Sequence, residues 1–68
     1  MIEHKEIASY ENDRYYLVLV EVLEYPCTKY YAMTGKDKET LKRIDYTGTW
    51  RDCMVNDFNR IAAAMRRK

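Results

Sequence analysis

The ten residues Tyr15–Glu24 read Tyr-Tyr-Leu-Val-Leu-Val-Glu-Val-Leu-Glu, and all but the two acids are aromatic, β-branched or leucine. Side chains of this kind suit a pleated strand. They alternate between the two sides of a strand, so Tyr16, Val18, Val20 and Val22 line one side without interruption. Tyr15, Leu17, Leu19 and Leu23 line the other, broken only by Glu21. An antiparallel strand with one wet side alternates cleanly between apolar and polar. This one does not, so it belongs in the middle of a sheet with something lying on each side of it.

The rest of the chain offers little cover. Its 68 residues make one domain, residues 1–68, and a chain of this size buries only about 60% of the surface its unfolded form exposes. Composition (47% hydrophobic, 34% charged) fits a folded domain and argues against disorder.

After Glu24, Tyr25-Pro26-Cys27-Thr28 spells a turn, and residues 29–34 read as a return strand. A loop of two or four residues pairs Glu24 with Lys29, Val22 with Tyr31 and Val20 with Met33. That register sets opposite charges at the hairpin end and apolar pairs on the Val side. It commits Leu23, Tyr30 and Ala32 to the other side. A polar turn over 35–39 follows, then a strand over 41–47 with Ile44 beside Tyr31 and Tyr46 beside Lys29. A short helix over 37–44 competes, because Lys, Glu, Leu and Arg are good helix formers. Upstream, residues 7–10 read as a first strand turning through Glu11-Asn12-Asp13-Arg14.

The carboxy end is the clearest helix. Thr49 is placed to cap it, with Asp52 three residues on. Trp50, Cys53, Met54, Phe58, Ile61, Ala62 and Met65 then recur at three- and four-residue steps as an apolar stripe. Arg66, Arg67 and Lys68 close the helix where its dipole favours positive charge. The expected fold is therefore α+β: a small antiparallel meander of three or four strands with one C-terminal amphipathic helix packed across one face.

Catalytic chemistry is missing from the pattern. The single histidine, His4, lies between Glu3 and Lys5 at a polar terminus, and one His with two scattered Cys does not make a zinc set. Thr34-Gly35-Lys36 lacks the second glycine of a phosphate loop, and Asp37 and Glu39 would repel phosphate. Glu21 and Glu24 fall on opposite sides of their strand and cannot share a substrate. The expectation is a protein without enzymatic activity, cofactor or metal. Residues 1–6 carry no apolar signal segment, and the apolar run of 15–20 is far too short to span a bilayer. A cytoplasmic chain is expected, with Cys27 and Cys53 as reduced, unpaired thiols.

What remains is a question of faces. The helix stripe is expected to take the side of Val18, Val20, Val22, Tyr31 and Met33. Nothing is then left to cover Tyr15, Leu17, Leu19, Glu21, Leu23, Tyr30 and Leu41, and monomers rarely expose contiguous apolar patches beyond a few hundred Å2. A protein partner, foreign or a second copy in a homodimer, is the simplest cover. The seven tyrosines suit this reading, since Tyr anchors interfaces at low entropic cost. Small proteins of phages and mobile elements that inhibit host complexes, in the anti-CRISPR or anti-restriction manner, act this way without chemistry. The alternative is a nucleic-acid-binding regulator using sheet tyrosines such as Tyr30, with Lys42, Arg43, Arg60, Arg66, Arg67 and Lys68 on phosphates. Charge is divided along the chain: residues 1–26 sum to −4 and residues 27–68 to +5. The net value of +1 is low for a phosphate binder.

Overall fold

Long strands joined by short turns fold back on one another in sequence order. The computed structural model describes residues 2–67. It has β1 (Ile2–Glu11), β2 (Tyr15–Glu24), β3 (Thr28–Asp37), β4 (Arg43–Gly48) and α1 (Arg51–Arg66). The strands form one antiparallel sheet in the order β1-β2-β3-β4. Helix α1 packs across one face, over β2 and β3. This is the α+β meander with a terminal helix that the sequence implies.

The helix lies on the opposite face from the one expected. The β2–β3 turn holds three residues, 25–27, so Glu24 pairs with Thr28, Glu21 with Tyr31 and Leu19 with Met33. An odd loop shifts the register by one residue, and a one-residue shift exchanges the two faces of a strand. Tyr31 and Met33 thereby join Tyr15, Leu17 and Leu19, and this set meets Met54, Phe58, Ala62 and Met65 of the helix. Leu17, Leu19 and Met33 are the most deeply buried side chains. A bulge between Glu6 and Ala8 turns both Ile7 and Ala8 toward this core.

Several boundaries also move. β1 begins at Ile2 and includes His4, which the sequence placed in a polar terminus. Gly35 belongs to β3 rather than to the following turn. The segment that could have been a helix over 37–44 is a turn followed by β4, with Ile44 opposite Gly35 and Tyr46 opposite Met33. Trp50, not Thr49, is the N-cap residue, and its side chain makes no capping bond. Trp50 and Cys53 are exposed, because the first turn of α1 lies outside the packed part of the stripe. Asp52 in the first turn and Arg66 in the last do suit the helix dipole.

Helix and sheet differ in length. Sixteen helical residues span about 24 Å, whereas a ten-residue strand spans about 33 Å. Met65 reaches Gly35, and Met54 sits at Gly48, which pairs with Tyr31. The helix therefore covers the sheet from Tyr31 to Tyr15, and the β2–β3 hairpin tip projects beyond it.

The covered end is clamped by side chains. Asn12 Oδ1 accepts from the N–H groups of Arg14 and Tyr15 at 2.9 and 2.7 Å. Asp37 Oδ1 accepts from the N–H groups of Glu39 and Thr40 at 2.9 and 3.3 Å. The Arg14 guanidinium pairs with Asp37 at 3.3 Å, and the Lys38 N–H donates to the Arg14 carbonyl at 2.6 Å. Two turns distant in sequence are thus stitched together.

Candidate protein-binding face

With the helix on the Leu side, no element among the described residues lies over the Val side of the sheet. Tyr16, Val18, Val20 and Val22 of β2 run down its centre, beside Tyr30, Ala32 and Thr34 of β3. Val22 is only 2% exposed, yet it stands apart from the helix-side core, flanked by His4 and Tyr30 across the ladder. The other six are half-buried. Polar residues border the stripe: Glu6, Ser9 and Glu11 on β1, and Arg43, Asp45 and Thr47 on β4. At the clamped end one cross-strand rung holds Glu11, Tyr16, Lys36 and Arg43.

The residues expected to meet a partner do not share one surface. Tyr15, Leu17 and Leu19 are core residues beneath the helix, at 7%, 1% and 0% exposure. Glu21 is half-buried on the helix side and accepts a hydrogen bond from the Tyr31 hydroxyl at 3.2 Å. Leu23 lies on the same side but beyond the helix, where it lines a shallow depression with Glu3, His4, Lys5 and Glu21. Tyr30 is on the uncovered face. Leu41 projects from the β3–β4 turn, 66% exposed, in the left-handed region with φ of 64°. The bare face instead presents the half-buried Tyr16, Val18, Val20, Tyr30 and Ala32 around Val22, which its neighbours already bury. Its signal was present in the uninterrupted valine alternation, but turn length decided which face the helix would take.

The basic residues gather only in part. Lys42 and Arg43 lie near Arg14, Asp37 and Met65 at the clamped end. Arg66 stacks its guanidinium 5.7 Å from the Tyr10 ring, and Arg67 follows it at the helix C-terminus. Arg60 stands apart, paired with Asp57 at 3.0 Å, and Lys68 lies outside the described residues. Tyr30 is six residues along β3 from Lys36, about 20 Å away. Tyr30 is thus remote from the basic end, and of the stripe's two tyrosines only Tyr16 adjoins Lys36 and Arg43.

Electrostatics at that end serve structure. The Asp37 side chain is 15% exposed, and desolvation alone would raise its pKa. The Arg14 guanidinium and the N–H groups of Glu39 and Thr40 outweigh it and hold the carboxyl at about 2. The Tyr46 hydroxyl donates to Asp57 at 3.0 Å, and that bond raises the Tyr46 pKa. The Arg14–Asp37 pair also lines an open depression with Thr40, Lys42, Arg43 and Met65, whereas the Tyr46–Asp57 bond ties β4 to α1. Among the described residues no three His, Cys, Asp or Glu side chains converge as a metal site. Nor is any helix there long and apolar enough to cross a membrane. Cys27 and Cys53 are free and exposed.

No protein-family model matches this chain, and no curated protein or solved structure matches it.

Proposed function

We propose that this chain is a non-enzymatic protein-binding module that works by setting its bare sheet face against another protein surface. One observation carries the reading: the half-buried Tyr16, Val18, Val20, Tyr30 and Ala32 surround the already buried Val22 on the two central strands, and the helix lies on the other side. A two-layer domain buries both sides of a sheet strand this apolar only if a further layer is added. Aromatics at the ends of the stripe and a charged border match the anatomy of protein interfaces. An inhibitor of the phage or mobile-element kind is the finer form of this proposal, supported by the lack of a converging His, Cys, Asp or Glu cluster among the described residues.

Val20→Lys tests the proposal, because Val20 is mid-strand on the bare face and half-buried. Association of the chain, with itself or with a protein of its host, is expected to disappear while circular dichroism stays that of the parent. Unchanged association in a folded Val20→Lys variant would refute it.

A second reading, binding of nucleic acid, is favoured only by the grouping of Lys42 and Arg43 with Arg14 near one end. It predicts binding that falls linearly with the logarithm of salt concentration. A complex formed mainly through the apolar stripe lacks that steep linear fall.

A further inference from the structure

We propose that the occupant of the bare face is a second copy of this chain, packed sheet on sheet about a two-fold axis parallel to the strands. The inference rests on the reading of that face given above and names its partner. A two-fold axis midway between two facing sheets, running along the strands, lays β1 of one copy over β4 of the other and β2 over β3. Each rung keeps its height. Val18 then faces Thr34, Val20 faces Ala32, Val22 faces Tyr30, and Tyr16 lies beside Lys36 of the second copy. Small and β-branched side chains fill the middle, where sheets about 10 Å apart interdigitate.

The border decides the orientation. On β1 the outward charges are the acids Glu6 and Glu11, while Lys36 and Arg43 are the bases on β3 and β4. With β1 over β4, Glu11 meets Arg43 of the second copy, Ser9 meets Asp45 and Glu6 meets Thr47. The same contacts recur by symmetry, as an isologous interface requires. Turning the axis perpendicular to the strands would lay β1 on β1 with the rungs in reverse order, carrying Glu11 away from Arg43 toward the Ile2–His4 end of the second copy. Opposite charges across an interface fix its register and reject such alternatives. Glu11 already touches Lys38, but its side chain remains 67% exposed and can reach a second cation.

The area is sufficient. Six residues of β1 over the six of β4 and the ten of β2 over the ten of β3, at about 3.3 Å per residue and about 4.8 Å between strands, give an overlap on the order of 510 Å2 per copy. Both copies together bury on the order of 1,000 Å2 even counted as flat, about what a specific interface needs.

The test is a charge exchange read by light scattering over a concentration series. The parent is expected at twice its 8.2 kDa chain mass. Glu11→Arg alone and Arg43→Glu alone should each weaken association on the order of tenfold or more, since like charges then meet at both symmetric contacts. Mixing the two variants should restore the double mass. The arginine introduced in one chain then faces the glutamate introduced in the other, and the unchanged Arg43 faces the unchanged Glu11. Val20→Lys should stay at chain mass in every mixture. Three results overturn the proposal: a parent at chain mass throughout, a single variant as dimeric as the parent, or a mixture that stays monomeric. A monomeric parent that still captures a host protein, and loses it on Val20→Lys, refutes the second copy while leaving the binding face standing. Circular dichroism of each variant confirms that folding is intact at the exposed Glu11 and Arg43 and at the half-buried Val20.

Discussion

Leu19 and Met33 face each other across β2 and β3 under the helix, and neither exposes any surface. Leu19→Ala should cost about 2–5 kcal/mol, against a whole-domain stability of about 3–10 kcal/mol for a chain of this length. Leu19→Lys would bury an unpaired ammonium and should leave the chain unfolded at room temperature. Urea unfolding followed by circular dichroism measures both. A Leu19→Lys protein with the parent's midpoint would place the helix on the wrong face.

Gly35 allows β3 to approach Leu17. A Cβ at this position would stand 2.8 Å from Leu17 Cδ1 and 3.1 Å from the Tyr16 carbonyl oxygen. The side chain could shift, but the backbone oxygen cannot. Gly35→Ala should therefore destabilise by about 1–3 kcal/mol, seen as a lower unfolding midpoint. The same change at Gly48 meets only the flexible sulfur end of Met54, at 2.7 Å, and should cost less.

The helix contributes unequally along its length. Phe58 is 6% exposed and Trp50 74%. Phe58→Ala should cost about 3–5 kcal/mol, whereas Trp50→Ala should stay within about 0.5 kcal/mol of the parent. Thermal melts of the two variants decide this. A Trp50→Ala variant as weak as Phe58→Ala would mean that Trp50 packs on the sheet.

Asp37 gives the fold a defined acid dependence. Its folded pKa of about 2 lies below the ordinary value of 3.8, so its stabilising contribution is complete above about pH 4. That contribution is lost as pH falls through the folded value. Asp37→Asn should be less stable than the parent at neutral pH, with the gap closing between about pH 4 and pH 2. Stability measured across that range checks the sign, and a gap independent of pH would sever Asp37 from the clamp.

Much of this architecture was readable in the residues themselves. β2 came out at its true ends, and the Met54, Phe58, Ala62 and Met65 stripe marked the helix, because these segments have strong periodicity. The faces were not readable, for one reason. The charge pair Glu24–Lys29 favoured an even loop, whereas the chain turns in three residues and pairs Leu23 with Lys29 instead. That single residue sets Tyr31 and Met33, inward as expected, beside Leu17 and Leu19 and leaves Val18 and Val20 outside. Turn length, not turn composition, therefore governs the bare face. The amino half of β1 escaped notice because Glu3, His4, Lys5 and Glu6 are exposed edge residues without an apolar period.

The shortness of α1 relative to the strands has a consequence for how the molecule opens. Amides of Leu17, Leu19 and Met33 lie beneath the helix and beside the stitched turns, so their exchange with solvent requires loss of the whole fold. Those of Val22, Leu23 and Tyr30, near the 25–27 tip, are protected by ladder bonds alone and should exchange through local openings of lower free energy. The protein should thus unzip from its hairpin tip. A ligand laid on Val22 and Tyr30 would act as a latch there, slowing exchange at the tip long before it altered exchange in the core.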